Sequence, residues 1–503
     1  MKSVKGTHYS LTVAWMVLLC GAIFTRFYDL TNKPLHFDES INGWFVLQMQ
    51  TVGFYKYDPN NYHGPLYFYM LQFFELLWGQ SVETLRALPA VFSVLSVMIF
   101  SFGFLSSKSV QRWMMLLLLL SPAFLFFGRS GIHEMPFVFF QIVFALGVLR
   151  WLEKSDAKAW ALGLVGLWGM VTLKETFTIT LFCWALALAT LGLSEVRRLF
   201  SWKNLKEAWS PRLTVLLSLL GLFFVQLFTG FFKNGSGLLD FVKAFLPWLK
   251  TGVEGKGHEK PFGYWLQVLG EAEPLVLLGV GIAFIGIFSR HKSLRVMSVF
   301  SLSQLLIYSL IPYKTVWCIL SLIWGFYFVL AVFFVEVLAE KGRWKYLFGG
   351  VAMVLMGFGV QSAYNSVYRH PLQMEHPYIY VNSTYEMKSL YDFLRVETRL
   401  HPELLGQTVQ IGMKEQWPWP WVLRTFKDLR YDLCGKRVIE NALIYLCDFS
   451  GTSEVELSLV EPYWKIPLSF RQSREMSYVY LKKAAFPQIP FTKQVEIVGS
   501  KEE

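Results

Sequence analysis

Charge is scarce in this sequence. Asp, Glu, Lys and Arg supply 17% of its 503 residues, against about 25% in a typical soluble domain. That shortage, with 54% of the residues hydrophobic, excludes an ordinary water-soluble globule. Nothing resembles a phosphate-cradling glycine loop, so nucleotide binding is not expected. Five cysteines are too few for a disulfide framework. Cys20, Cys183 and Cys318 lie in apolar stretches as small packing residues. Cys434 and Cys447 are able to pair only if the carboxyl-terminal region meets an oxidising compartment. There is no internal repeat and no low-complexity tract. A small-residue cleavage site after the first apolar run is also missing, so that run reads as a retained span rather than a signal peptide.

Long apolar runs fill the space that charge leaves. Thr12 to Phe27, Val91 to Phe104, Met114 to Phe127, Leu213 to Phe232 and Trp317 to Val337 are all predominantly apolar. A helix needs roughly 20 such residues to cross about 30 Å of hydrocarbon, and lipid leaves helices as the way to satisfy the backbone. Eleven spans are expected, near 12–27, 83–105, 112–127, 135–151, 158–173, 176–193, 213–232, 274–289, 296–312, 315–338 and 346–362. Lys2 and Lys5 place the amino terminus in the cytoplasm. Lys108, Arg112, Arg150, Lys154, Lys158, Arg197, Arg198, Lys203, Lys206, Arg290, Lys292, Arg295, Lys341, Arg343 and Lys345 then fall inside as well, as the positive-inside rule asks. The net charge of +11 therefore reads as topology, with no nucleic acid as partner.

The expected fold is an all-α polytopic membrane domain over 1–362, with a first outer loop at 31–82 and a long outer loop at 233–273. Residues 63–78 read as helix lying on the outer interface rather than as a span. A small extracytoplasmic α/β domain follows over 363–503, where short apolar runs alternate with charge. Strands are expected at Tyr378 to Val381, Thr408 to Ile411, Leu443 to Cys447 and Tyr478 to Leu481, and an amphipathic helix over Glu386 to Thr398.

The richest chemistry lies in Leu35-His36-Phe37-Asp38-Glu39-Ser40, just outside the first span. One reading is structural: Asp38 or Ser40 caps a helix beginning near Ile41, with Glu39 favoured by its positive end. The second reading comes from context. The acidic pair is followed by Tyr62-His63-Gly64-Pro65-Leu66 and Arg86-Ala87-Leu88-Pro89-Ala90, then by Gly131-Ile132-His133-Glu134-Met135-Pro136 and Lys174-Glu175-Thr176. Farther on stand His258-Glu259-Lys260-Pro261-Phe262, Ile311-Pro312-Tyr313-Lys314-Thr315, His376-Pro377-Tyr378 and Trp417-Pro418-Trp419-Pro420-Trp421. This order, over most of the chain, resembles the family 39 glycosyltransferases of the GT-C superfold, which include protein O-mannosyltransferases and the aminoarabinose transferase of lipid A. It is most similar to a prokaryotic branch associated with lipid-linked-oligosaccharide flippase activity.

That resemblance implies transfer of a sugar from a polyprenyl-phosphate donor, at the outer face of a prokaryotic plasma (inner) membrane, to a protein, lipid or glycan acceptor. It implies catalytic roles for Asp38 as base or acceptor-orienting carboxylate, for Glu39 beside it, and for Glu134. Substrate contacts fall to His36, His63, Arg129, His133, Lys174, Glu175, Tyr313 and Lys314. Lys314 is the first choice for the phosphate, with Lys174 and Arg129 behind it. The aminoarabinose-transferase pattern has lysine where this chain has His63, a departure that leaves the lipid-phosphate contact open.

Three further readings stay open. His36, Asp38, His63, His133 and Glu134 suit a divalent metal if they converge, although hydrogen-bonding loop residues are the plainer account. Glu175 is expected to pair with its neighbour Lys174. The Trp417 to Trp421 strip suits docking on the membrane, stacking on a sugar, or a plain turn. A transport or flippase component and a non-catalytic scaffold are the rivals to a transferase. Polar signals concentrated in outer loops, without paired broken-helix repeats, favour surface chemistry over passage.

Overall fold

The computed structural model describes residues 3–499 except 62, 256, 340, 341, 374, 472–475 and 493. Lys2, Tyr62 and Lys341 of the sequence reading thus lie outside the described residues. The chain divides into two compact units, one formed by Met1–Leu30 and Val46–Tyr378, the other by Thr31–Phe45 and Ile379–Glu503.

The first unit is helical, and the protein is an integral membrane protein. Six of its described helices are long and apolar enough to cross a membrane: Val82–Phe102, Glu134–Lys154, Pro211–Phe228, Lys292–Leu310, Val316–Val337 and Lys345–Arg369. Two bent pairs pass the same test jointly, Lys108–Leu120 with Pro122–Arg129 and Phe177–Ala189 with Leu193–Ala208. Trp15–Phe27, Ala157–Leu173 and Pro274–Gly286 are apolar but shorter. Six to eight described stretches thus meet the length of a span, against the eleven expected from hydropathy; the three shorter helices overlap the other expected positions. Residues 63–78 hold the separate helix Leu66–Trp78.

The bend at residues 120–122 shows how charge serves this unit. Pro122 has no N–H, so the carbonyl of Leu118 loses its helical donor. The Ala123 N–H is diverted to Glu273 Oε1 at 2.7 Å, which orphans the carbonyl of Leu119. The fully buried Arg26 guanidinium supplies both replacements, donating at 2.9 Å to Leu118 and 3.0 Å to Leu119. Glu273 in turn accepts from Ser121 Oγ at 3.0 Å and Tyr378 Oη at 3.1 Å, and from the Tyr327 hydroxyl. A small, partly open pocket lined by Leu117, Ser121, Glu273, Tyr327 and Met356 adjoins this knot. Arg129 acts likewise at the end of the first helix, Ser3–Phe27. It donates to the carbonyls of Thr25, Arg26, Tyr28 and Asp29 at 2.6–3.3 Å. Arg86 donates to the carbonyl of Leu30 at 2.6 Å.

The second unit carries a six-stranded sheet, β1 (Thr408–Gly412), β2 (Asp428–Arg430), β3 (Ile444–Asp448), β4 (Tyr463–Ser469), β5 (Met476–Lys482) and β6 (Glu496–Val498). Its order is β2-β1-β3-β5-β4-β6. Strand β1 pairs in parallel with β2 and β3, and the remaining pairs are antiparallel. The amphipathic helix spans Tyr385–Leu400 and buries Met387, Leu390 and Leu394. Cys434 and Cys447 form a disulfide. Gly412, opposite Cys447 in the ladder, has to be glycine, because a Cβ there would lie 2.3 Å from Cys434 Sγ.

Two expectations change. Residues 378–381 form no strand; this stretch instead leads into a single bridge between His36 and Asn382. The helix after the first span begins at Phe37, not near Ile41, and so takes Asp38 and Glu39 into its first turn.

Replacing Arg26 by methionine leaves two buried carbonyls without donors, at about 1–3 kcal/mol each. Arg26→Met is therefore expected to destabilise the purified protein by at least about 2 kcal/mol, read as a lower thermal unfolding midpoint. An unchanged midpoint would refute the capping role.

Candidate functional site

In the second unit the acidic turn is built by reciprocal capping. The helix Phe37–Val52 leaves its first N–H groups unpaired. His36 occupies the capping position with an imidazole where serine or threonine is usual: its Nδ1 accepts from the Asp38 N–H at 3.1 Å. Glu39, three residues on, reaches back to accept from the His36 N–H at 2.8 Å. His36 Nε2 donates to the Tyr380 carbonyl at 2.7 Å. A backbone N–H on Nδ1 and a carbonyl on Nε2 together assign the Nε2–H tautomer. Glu39 is fully buried and His36 nearly so. Asp38 is half-buried, and among the described residues no side chain pairs with its carboxylate. The turn thus holds one carboxylate in position and leaves the other available.

In the first unit the remaining polar residues gather at helix ends. Glu134 opens the helix Glu134–Lys154, and Lys174 follows the helix Ala157–Leu173. Lys174 Nζ lies 2.6 Å from Glu134 Oε1, with both groups buried. The Cys318 thiol reaches the same oxygen at 3.3 Å. Lys174 is extended, at φ −157° and ψ 137°, so the next side chain points away, and Glu175 Oε2 meets His63 Nδ1 at 3.2 Å. The expected Lys174–Glu175 pair is therefore replaced by two separate pairs. Gly64 makes the second one reachable. Its N–H bonds the Leu173 carbonyl at 2.9 Å, and a Cβ would lie 2.1 Å from Thr172 O.

His63 stands 4.8 Å from His133, ring to ring, and Tyr67 4.0 Å. His133 is buried, and its Nε2 has no partner among the described residues. Burial, His63 and Lys174 push it well below the usual histidine range, so it is uncharged at neutral pH. No group of three or more His, Cys, Asp or Glu able to hold a metal is found among the described residues.

Lys314 has a different environment. Loop residue Glu259 bridges Tyr313, the Lys314 N–H bonds the His258 carbonyl at 3.1 Å, and the Tyr313 ring lies 5.0 Å from that of His258. Lys314 Nζ donates to the carbonyls of Lys260 at 3.1 Å and Ile311 at 2.5 Å. An ammonium has three donors, and among the described residues no carboxylate takes the third. Burial holds Lys314 below the usual lysine range. Arg129, expected with Lys174 behind Lys314 for the phosphate, has its guanidinium engaged by four carbonyls. Sequence reasoning missed Arg26, Cys318 and Glu273; the one available signal was Glu273 standing alone before Pro274 at the start of an apolar run.

The chain thus combines a many-span helical unit with a small sheet-bearing unit, and an acidic helical turn follows the first span. No family model matches the chain, and no curated protein matches it by sequence. Among solved structures it is similar to ArnT from Cupriavidus metallidurans bound to undecaprenyl phosphate. That likeness has a TM-score of 0.63 at 12% identity, over 93% of this chain and 98% of that one. ArnT of the same organism in the apo state gives 0.55 at 12% identity, over 94% and 99%. At such identity the likeness is one of fold.

Breaking the buried pair should cost more than removing it. Lys174→Met leaves the buried Glu134 carboxyl without its cation, a loss of about 3–5 kcal/mol. Adding Glu134→Gln should recover at least half of the lost thermal stability. Equal losses in the single and double variants would show that the two groups are not coupled.

Proposed function

We propose that this protein transfers a sugar from a polyprenyl-phosphate donor to an acceptor hydroxyl on the extracytoplasmic side of the membrane. The observation that carries this reading is Asp38, the carboxylate left without a partner on a turn where His36 and Glu39 are both engaged in holding the helix start. In the proposed step the acceptor oxygen attacks the anomeric carbon while Asp38 takes the hydroxyl proton. The bond from that carbon to the phosphate oxygen breaks, and polyprenyl phosphate departs with the electron pair. In the first unit, Lys314 is the candidate for contact with a lipid phosphate, because its ammonium is buried with two carbonyls and, among the described residues, no carboxylate. The solved relative with undecaprenyl phosphate bound supports a polyprenyl-phosphate lipid as donor. Basic residues between spans and the Cys434–Cys447 disulfide favour a cytoplasmic amino terminus and an extracytoplasmic carboxyl-terminal domain.

The test is release of free polyprenyl phosphate by the protein in lipid, supplied with a panel of polyprenyl-phosphate sugars and candidate acceptors. Asp38→Asn should lower turnover by about 10²–10⁴-fold, the usual worth of a positioned base, without lowering the unfolding midpoint. Full turnover by a folded Asp38→Asn protein would end the proposal. Lys314 gives a pH signature. Its lowered pKa means the ammonium is lost at a less alkaline pH than for an exposed lysine. The KM for donor should rise as pH passes through that value, and Lys314→Arg, which stays charged, should flatten the rise.

A further inference from the structure

The Trp417-Pro418-Trp419-Pro420-Trp421 strip follows β1, in the second unit. Two of its three indoles are core. Trp419 is fully buried, 4.8 Å from Phe470 ring to ring. Trp421 is fully buried too, so close to Gly43 that a Cβ there would lie 2.2 Å from its Nε1. The Arg424 guanidinium covers the Trp421 ring at 3.9 Å. A strip with two buried indoles is anchored and has little apolar area to offer a membrane. Only Trp417 is half-buried. It stands edge-on to Phe37 at 6.5 Å and to Trp44 at 6.1 Å, both also half-buried. Phe37 is fixed from another side by Arg471, 4.5 Å over its ring and paired with Glu415 at 2.9 Å.

Asp38 is the residue after Phe37, about 100° farther round the same helix. Phe37, the residue directly before the unpaired carboxylate, is thus one of three partly open rings that stand together. The topology gives an independent reason to look here. Strand β1 lies between its two parallel neighbours β2 and β3, and open α/β sheets bind ligands at the carboxyl ends of strands where the order reverses. The Lys414 N–H, at the start of the strip's loop, bonds Asp448 at the end of β3 at 2.8 Å. Aromatic rings with one or two placed polar groups make a ligand site, and a ring face beside a carboxylate suits the apolar face and the hydroxyls of a pyranose.

We infer that Trp417, with Phe37 and Trp44, forms a carbohydrate-ring subsite that presents a sugar hydroxyl to Asp38, so that the acceptor is a glycan and not a polypeptide. This rests on the transferase reading for the part played by Asp38. The subsite itself is tested by binding alone, using saturation-transfer NMR on the full chain in lipid nanodiscs. The probes are cellobiose, N,N′-diacetylchitobiose and a serine/threonine-rich peptide. Transfer to the ring C–H protons of at least one disaccharide is expected, with none to the peptide. Trp417→Ala and Trp44→Ala should each reduce it at least fivefold, while Trp417→Phe, which keeps a ring, should retain part of it. Should one alanine variant misfold, the other and Trp417→Phe still decide. The same disaccharide on an alkyl chain in the nanodisc separates a lipid-borne glycan from a free one, and tighter binding of either form supports the subsite. Undiminished transfer in a folded Trp417→Ala protein, or preference for the peptide, would overturn the inference. Asp38-dependent turnover without disaccharide binding would leave the transferase standing and remove the glycan subsite. Binding without turnover would do the reverse.

Discussion

An orphaned backbone carbonyl in a place without water must find a donor. The helical unit is organised around that constraint. Pro122 removes one helical N–H and Glu273 diverts the next, so two carbonyls of the preceding helix are left bare. Arg26 answers both, and Arg129 does the same for four carbonyls around the end of the first helix. In water such groups would be solvated at little cost. Away from it, each left unmade carries a desolvation penalty, and satisfying two or more at once offsets part of the larger cost of burying the charge that does so. A buried arginine among apolar spans is thus a backbone device before it is anything else.

That principle sorts the charged residues of this chain. An intramembrane or buried charge is by default a functional suspect, and the sequence offered many. The acceptors and donors around each one decide the matter. Arg129 lands on carbonyls, Glu273 gathers four donors, Glu39 closes a cap and Glu134 holds Lys174. Each of these charges has a structural partner that accounts for it. Asp38 and the third donor of Lys314 have none among the described residues, and the proposed chemistry rests on them for that reason. Likewise His36 is a poor candidate for ligand contact, because both its ring nitrogens already have partners.

What could be read in advance follows the same division. Spans were legible because hydrocarbon thickness sets a length and lipid sets a composition, and both are written along one stretch of chain. Strands β1, β3 and β5 were legible as short apolar runs. Strand β4 was not, since Pro467 and Lys465 break its pattern, and β2 and β6 are three residues each. The acidic turn was found, but its helix start was misplaced because histidine is an unusual cap. The pairings of Lys174 and Glu175 escaped for a different reason. They depend on one extended residue and on Gly64 allowing a close approach from more than a hundred positions away, and no local pattern carries that. The carbonyl acceptors of Arg129 were not legible either, because every residue has a carbonyl.

The last point also explains how a fold can persist with 12% of residues in common. A carbonyl asks for a donor of any kind, and an aromatic wall asks for rings, so the requirement fixes a position in space but not an identity. Glycine is the exception. Gly64, Gly43 and Gly412 each admit a neighbour closer than any Cβ would allow, and no other side chain substitutes for an absent one. Gly64 brings His63 to Glu175, and Gly43 seats the Trp421 that anchors the aromatic strip. In such a chain the close backbone approaches, more than the charged residues, mark the contacts that the fold cannot make in another way.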